Sequence, residues 1–200
     1  KHKYSLLRLS INSNNLINKK NYLIEISLKD NSKEIQNLNF KIKVHPATIP
    51  KLIDSNFFYT NWFNINKMEE KHRLTRWDDK WYEMLEKYAK IMADGRQNCV
   101  IIPGDLISLK DNRIHLDEEK MISFIDVFRK NGFKYFESPH LLGRGKNDDW
   151  GSPELITNLR GRGYFSKEAK KDIDTIIRKI KKFTKKYNLT NQWLQHIADE

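Results

Sequence analysis

Apolar residues occupy every second position in three stretches of the first fifty residues, with polar residues between them and Asn-rich segments separating the stretches. The apolar positions are Leu7, Leu9 and Ile11, then Ile24, Ile26 and Leu28, then Phe40, Ile42 and Val44. A period of two with polar partners predicts half-buried antiparallel strands. Because three strands are few for an independent sheet, we expect either the last strands of an antiparallel β-sandwich that begins before residue 1, or a sheet packed on the rest of the chain.

The pattern changes after residues 45–50, a segment that contains two prolines. Such a segment is typical of a linker. We therefore place the end of the sandwich part, with its linker, at residues 1–50 and a second domain at residues 51–200. The second domain has four predicted strands, of which the first two are near-continuous apolar runs typical of buried parallel strands. They span residues 57–63, 99–103, 133–138 and 193–198.

Helical stripes separate these four strands. The first stripe contains Trp77, Trp81, Leu85 or Met84, Tyr88, and Ile91 or Met92; the second contains Met121, Phe124, Ile125 and Phe128, with Gly132 as a candidate end signal; the third follows the candidate N-cap Ser166 with Ala169, Ile173, Ile177 or Ile176, Ile180, Phe183 and Tyr187. Strands that alternate with helices predict an α/β fold with a parallel sheet. An open doubly wound sheet and a partial (β/α)8 TIM barrel of about four β/α units both fit. No glycine-rich nucleotide-binding turn or phosphate loop follows any strand, which favours the partial barrel.

Charge and composition narrow the function classes. The chain carries 37 Lys and Arg against 26 Asp and Glu, a net charge of +11, with 38% hydrophobic residues and a mean hydropathy of −0.75. No apolar run approaches the ~20 residues of a membrane span, and the start does not resemble a signal peptide. Nine of the basic residues lie between Lys167 and Lys186 on one predicted helix. We interpret them as a solvated face and expect no nucleic-acid partner, since no aromatic residues are interleaved with the lysines.

Polar and aromatic residues lie at the carboxyl ends of all four predicted strands, where parallel α/β folds place their chemistry. They are Asn61 and Trp62, Gly104 and Asp105, Glu137 and His140, and His196 with Asp199 and Glu200. Residues 141–165 form a long connection containing Trp150, and that tryptophan either stacks on a sugar ring or pins the loop by packing. His140 and His196 lack a third ligand of recognisable spacing, so we predict no metal. We expect no cofactor either.

Two carboxylates in a sugar-binding cleft point to glycoside hydrolysis, which needs a proton donor and a group that stabilises the developing positive charge. Adjacent acids are too constrained to flank the sugar as an ordinary nucleophile and acid. They suit a substrate-assisted reaction, in which the 2-acetamido oxygen of the sugar attacks. One acid then orients the amide and the other serves as acid and base.

Three segments resemble glycoside hydrolase family 123, which contains β-N-acetylgalactosaminidases. They are Thr60-Asn61-Trp62-Phe63, then Lys134-Tyr135-Phe136-Glu137 with His140-Leu141, then His196-Ile197-Ala198-Asp199-Glu200. The resemblance covers roughly residues 55–200 and implies a β-sandwich before a (β/α)8 barrel. It also implies that Asp199 holds the acetamido group, that Glu200 is the general acid and base, and that Asn61, Trp62, His140 and His196 line the sugar site. Asn64 and Asn66 stand where the family pattern has His and often Asp.

The resemblance leads us to expect a fragment of a retaining hydrolase that removes terminal β-linked N-acetylhexosamine, with N-acetylgalactosamine as the first candidate and a glycan or glycoconjugate as partner. We expect the 200 residues alone to be inactive, because half of a barrel lacks half of the cleft. The full-length protein is expected in the periplasm, secreted or on the cell surface. Two alternatives are a non-catalytic carbohydrate-binding relative and a basic nucleic-acid-binding protein.

Overall fold

The alternating residues of the first unit form a long β-hairpin in the computed structural model, which describes residues 9, 11, 20–145 and 153–198. Strands β1 (Asn21–Asp30) and β2 (Lys33–Lys43) are antiparallel, with Ile24 opposite Phe40 and Ile26 opposite Leu38. Asn31 and Ser32 connect them at φ of 45° and 70°, the left-handed geometry of a tight two-residue hairpin turn. The hairpin confirms the second and third predicted strands, whereas the first lies largely outside the described residues.

Contacts along the chain divide it into two units, Lys1–Ile49 and Pro50–Glu200. The second unit contains all the helices that the structure describes. Its elements are α1 (Ile65–His72), α2 (Asp79–Asp94), β3 (Cys99–Ile101), β4 (Ile107–Lys110), β5 (Arg113–Leu116), α3 (Glu118–Lys130), β6 (Tyr135–Glu137), β7 (Leu142–Arg144), β8 (Leu155–Thr157), α4 (Lys167–Lys186) and β9 (Trp193–Leu194).

The three long helices follow the predicted stripes and begin at capping side chains. Asp78, Asp117 and Ser166 accept hydrogen bonds from backbone N–H groups in the first turns of α2, α3 and α4. The buried side chains of the three helices join one core. Its largest fully buried members are Trp81, Phe124, Phe128, Phe133, Phe136 and Phe183.

A parallel sheet lies at the centre of this unit, with its strands in the order β3-β6-β9. Helix α3 connects β3 to β6, and helix α4 connects β6 to β9. Register pairs Ile101 with Glu137 and Glu137 with Leu194, so these three positions lie side by side across the sheet. Each sheet in the described part of the chain has two or three strands, and none closes on itself. The partial (β/α)8 barrel therefore stays a prediction.

The prediction of a regular buried strand over residues 57–63 is wrong. Phe57 and Trp62 are 77% and 72% exposed, and the backbone of Tyr59 accepts hydrogen bonds from both Asn98 and Cys99. The Asn98 side chain also accepts from the N–H of Tyr59 at 2.9 Å and donates to the carbonyl of Phe57 at 2.7 Å. Side-chain hydrogen bonds of Asn98 therefore hold this segment beside β3, where a regular strand pair would use a ladder of backbone bonds.

The other predicted strands are shorter than expected, most of all the fourth, which ends at Leu194. Beyond it, the backbone N–H of His196 bonds to the Ser138 hydroxyl, and the carbonyl of Ile197 accepts from Leu141 and Leu142. These bonds do not continue the parallel ladder between β6 and β9. Two hairpins, β4–β5 and β7–β8, and the short helix α1 were not predicted. No helix within residues 20–145 and 153–198 has the length and apolar character to cross a membrane.

Candidate functional site

Three of the predicted site residues meet at the carboxyl end of the parallel sheet. The ring centroids of His140 and His196 lie 3.8 Å apart, and the indole of Trp62 lies edge-on to His140 at 6.4 Å. Glu137, the last residue of β6, joins them. Glu137 and His140 lie at and after the end of β6, and His196 follows β9, so the pairing of β6 with β9 brings them together.

Glu137 and the two histidines form a compact polar group, which we call the His–Glu cluster (Glu137, His140 and His196). A ligand-type atom from each residue lies within 4.8 Å of the others, and all three side chains are half-buried. Nδ1 of His196 pairs with the Glu137 carboxylate, while Nε2 of His196 donates to the carbonyl of Ala198 at 3.0 Å. Both nitrogens of the His196 ring are therefore directed at oxygen acceptors.

The buried hydroxyl of Ser138 fixes the backbone on which this cluster is built. It accepts from the N–H of His196 at 2.8 Å and from the side-chain amide of Gln195 at 2.8 Å. It lies 3.1 Å from the carbonyl of His196, to which it donates. Because Ser138 follows Glu137 directly, these bonds hold the end of β6 against the residues after β9.

The backbone at His140 is held from the opposite side. Its carbonyl accepts from Nδ2 of Asn158 at 2.9 Å, and the following N–H, of Leu141, donates to Ile197 at 3.0 Å. Asn158 lies so close to Gly143 that a Cβ on this glycine would come 2.5 Å from Oδ1 of Asn158. Glycine at position 143 therefore makes room for the side chain that supports His140.

Trp62 and His140 also line an open cleft of about 470 Å³. Arg76 lies in this cleft and donates to both oxygens of Glu69, at 2.6 and 3.0 Å, and to Asp105 at 2.9 Å. Hydrogen bonds from Arg76 hold the pKa of the Glu69 carboxyl below its ordinary value of 4.5, and Glu69 in turn raises the pKa of Arg76. The charge of Arg76 is thus largely compensated within the protein.

A second cleft, of about 320 Å³, lies on the Glu137 and His196 side of the cluster. Cys99 and Thr60 line it, and the Thr60 hydroxyl is buried with no hydrogen-bond partner among the described atoms. Burial, and then the negative charge of Glu137, raise the pKa of the Cys99 thiol to about 12. This thiol is therefore not a nucleophile at neutral pH.

The remaining predicted site residues are placed differently. Asn61 adjoins Trp62, but its side-chain amide donates to the hydroxyl of Tyr59 at 2.9 Å. Trp150, Asp199 and Glu200 lie outside the described residues. The pair Asp199-Glu200 follows Ala198, whose carbonyl accepts from His196.

No protein-family model matches the chain. A search of curated proteins likewise finds no similar sequence.

Two residues of this site were not predicted as site residues from the sequence. Glu137 was placed only at the end of a strand, although its carboxylate contacts His196. Ser138 was not singled out at all. The spacing Glu-x-x-His at the end of a predicted strand was the available signal for Glu137, whereas the role of Ser138 depends on the pairing of β6 with β9.

The lysine-rich helix α4 differs in character from this site. Ile176, Ile180 and Phe183 are buried on one stripe, whereas most of the basic side chains lie on exposed positions. The exposed basic residues are Lys167, Lys170, Lys171, Arg178, Lys181, Lys182, Lys185 and Lys186. This distribution is that of an amphipathic helix with a solvated outer face. The absence of a nucleic-acid partner stays a prediction.

Proposed function

We propose that this chain belongs to a retaining β-N-acetylhexosaminidase-like glycoside hydrolase of the family 123 type, with β-linked N-acetylgalactosamine as the first candidate substrate. The observation that carries the proposal is the meeting of Trp62, His140 and His196 at one end of the parallel sheet. These residues come from three separate segments that resemble the family pattern. Their convergence is what a common sugar site requires.

We also propose that the second unit is the first half of a (β/α)8 barrel. Residues 57–61 lie along one side of β3, and β6 and β9 follow on its other side in chain order. Neighbours in chain order are expected in a barrel, whereas an open doubly wound sheet reverses its order at a switch point. The carboxyl end, where the cluster lies, is the catalytic face of such barrels.

The side chains at this end suit a sugar ring. Trp62 is 72% exposed, and a flat indole face matches the C–H face of a pyranose. The half-buried His140 beside it has an imidazole, a group that exchanges hydrogen bonds with hydroxyl groups. An exposed aromatic platform next to fixed polar groups is the usual composition of small-ligand sites.

The proposed reaction uses the two acids after Ala198. The acetamido oxygen of the substrate attacks the anomeric carbon while Glu200 gives its proton to the leaving glycosidic oxygen. Asp199 accepts a hydrogen bond from the amide N–H and stabilises the cyclic oxazolinium ion that forms. Water, deprotonated by Glu200, then opens this ion, so that the anomeric configuration is retained and the acid is regenerated.

The test measures kcat/KM for hydrolysis of β-N-acetylgalactosaminides by the full-length protein, with and without the substitution Glu200→Gln. Loss of a general acid should lower kcat/KM by at least about 100-fold. The loss should be larger for an alkyl leaving group than for an aryl one, since the less acidic alcohol depends more on protonation. Glu119→Gln, which changes the exposed acid of the adjacent pair Glu118-Glu119 in α3, is the matched control and should leave kcat/KM unchanged.

A substrate that lacks the acetamido group distinguishes the mechanism. The corresponding β-galactoside should be inert, because it cannot supply the attacking oxygen. Equal hydrolysis of the two sugars would refute substrate assistance. Undiminished activity in Glu200→Gln would refute the assignment of the acid.

A second candidate function is carbohydrate binding without catalysis. Asn64 and Asn66 stand at positions of His and Asp in the family pattern, and both line the 470 Å³ cleft. Asn64 caps α1 by accepting from Lys67 at 3.0 Å, and Asn66 accepts from Arg76. Their polar groups are thus engaged by the protein itself. Calorimetric binding of N-acetylgalactosamine to a protein that shows no turnover would favour this alternative.

A further inference from the structure

We propose that the His–Glu cluster is a binding site for one divalent transition-metal ion of the zinc type. Two imidazoles and one carboxylate are a ligand set that zinc uses in proteins, with a fourth position left for water or a ligand hydroxyl. From the sequence we predicted no metal, because His140 and His196 lacked a third ligand of recognisable spacing. Glu137 supplies that ligand.

The distances are close to those that an ion needs. The three ligand-type atoms lie within 4.8 Å of one another. Zinc bonds of about 2.1 Å in a tetrahedral arrangement hold their ligands about 3.4 Å apart. Side-chain rotations that move the ligand atoms by roughly 1 Å would therefore form the site. Glu137 and His196 would move apart to admit the ion.

The hydrogen bond on the far side of His196 supports this assignment independently. Nε2 donates to the carbonyl of Ala198 at 3.0 Å, so its proton is fixed there and Nδ1 is directed at Glu137. Histidines that bind metals almost always donate their other N–H to a carbonyl or carboxylate, which orients the ring and makes it a better ligand. Nδ1 of His196 and the Glu137 carboxylate face each other directly, and a bound ion would lie between them.

The backbone around the cluster is fixed before an ion arrives. Ser138 ties the end of β6 to His196 through bonds of 2.8 and 3.1 Å, and Asn158 holds the carbonyl of His140 at 2.9 Å. A metal site needs such supporting contacts, because ligands held in place lose little freedom on binding. Ion binding here would draw together side chains from β6, the segment after it and the segment after β9.

The test is zinc binding by the 200-residue chain, purified without a histidine tag and stripped of metal. Equilibrium dialysis should find one Zn²⁺ per chain. His140→Ala, His196→Ala and Glu137→Gln should each weaken binding by at least about 10- to 100-fold, the loss seen when even an outer partner of a metal site is removed. His72→Ala and His115→Ala change histidines elsewhere in the unit and should leave the affinity unchanged.

A measurement on the unmutated chain covers the case in which a variant does not fold. Diethyl pyrocarbonate modifies accessible imidazoles, and mass spectrometry locates the modified residues. Zinc should slow modification at His140 and His196 but not at His72 or His115. No stoichiometric binding, equal protection of all four histidines, or equal loss of affinity in the control variants would each overturn the proposal.

The metal proposal does not depend on the glycosidase proposal. Zinc binding is measured without any sugar, and hydrolysis is measured in metal-free buffer. Failure of one experiment therefore leaves the result of the other intact.

Discussion

At the scale of single residues, the hydroxyl of Ser138 supports more of the site than any charged group does. It is fully buried, it accepts from the N–H of His196 and the side chain of Gln195, and it donates to the carbonyl of His196. Removing it leaves the N–H of the half-buried His196 without its partner. An unpaired buried polar group costs about 1–3 kcal/mol.

We therefore expect Ser138→Ala to lower the free energy of unfolding by about 1–3 kcal/mol, as measured by urea denaturation. Ser123→Ala is the matched control, since its hydroxyl donates to the carbonyl of Glu119 within helix α3 and bonds to Tyr82, away from the site. Ser123 is half-buried, and loss of its bonds should cost about 1 kcal/mol or less. Equal effects of the two substitutions would show that the Ser138 hydroxyl does not hold β6 to His196.

Single residues also show how far the sequence defines this site. Trp62, His140 and His196 could be predicted because strand ends in parallel folds collect functional groups. Glu137 could be placed only at a strand end, because its contact with His196 depends on the register that pairs it with Leu194. Local periodicity does not determine the register between strands that are distant in sequence. The sequence therefore predicted His140 and His196 as site residues but did not assign Glu137 to the site.

At the scale of elements, hydrogen bonds from Asn98 replace the backbone pairing that a strand at residues 57–63 would make with β3. Its side chain bonds to the N–H of Tyr59 at 2.9 Å and to the carbonyl of Phe57 at 2.7 Å, and its backbone N–H bonds to Tyr59 as well. One buried asparagine therefore makes most of the hydrogen bonds that attach this segment to β3, and Cys99 and Gln97 add one each, to the carbonyls of Tyr59 and Asn61. Apolar burial contributes less here, because Phe57 and Trp62 are mostly exposed.

Asn98→Ala should lower the free energy of unfolding by about 2 kcal/mol, since two backbone groups in part-buried contacts, the N–H of Tyr59 and the carbonyl of Phe57, lose their partners. In thermal or urea unfolding, Asn131→Ala provides the comparison. Its side chain makes a single bond, to the carbonyl of Val127 at the end of α3, and its loss should cost about 1 kcal/mol. An unchanged free energy of unfolding in Asn98→Ala would show that apolar contacts, and not Asn98, hold residues 57–63 against β3.

The same elements explain which structure could be predicted. Helices α2, α3 and α4 were predicted because each has an apolar stripe of helical period, and Ser166 caps α4 as expected. Residues 57–63 were misread because an apolar run indicates burial only when both faces are covered. The hairpin β4–β5 was missed although Asp111 and Asn112, at φ of 48° and 56°, form the kind of turn that an Asp-Asn pair between alternating strands indicates.

At the scale of the whole second unit, the core and the site meet at β3. Val100 and Ile102 belong to the core, while Cys99 and Thr60 line the cleft beside Glu137. Opening of this strand would expose the core and disorder the site together. Cys99, the one cysteine of the chain, is thus placed to report on both.

We expect Cys99 to resist alkylation in the folded protein. Its thiol is 1% exposed and its pKa is raised to about 12, so only about one molecule in 10⁵ carries the reactive thiolate at pH 7. Raising the pH toward 12 increases the thiolate, but at neutral pH reaction requires the unit to open. Iodoacetamide labelling followed by mass spectrometry should be slow in buffer and rise steeply through the urea transition.

The labelling rate should then measure the stability of the unit. If reclosing is faster than alkylation, the rate follows the population of the open form. Each kcal/mol of stability lost in Ser138→Ala or Asn98→Ala should then speed labelling about 5-fold. A cysteine placed at the exposed position 191 in a Cys99→Ala background gives the rate of an unprotected thiol. Labelling of Cys99 at that unprotected rate in buffer would contradict a closed β3, and with it the fixed backbone on which the His–Glu cluster depends.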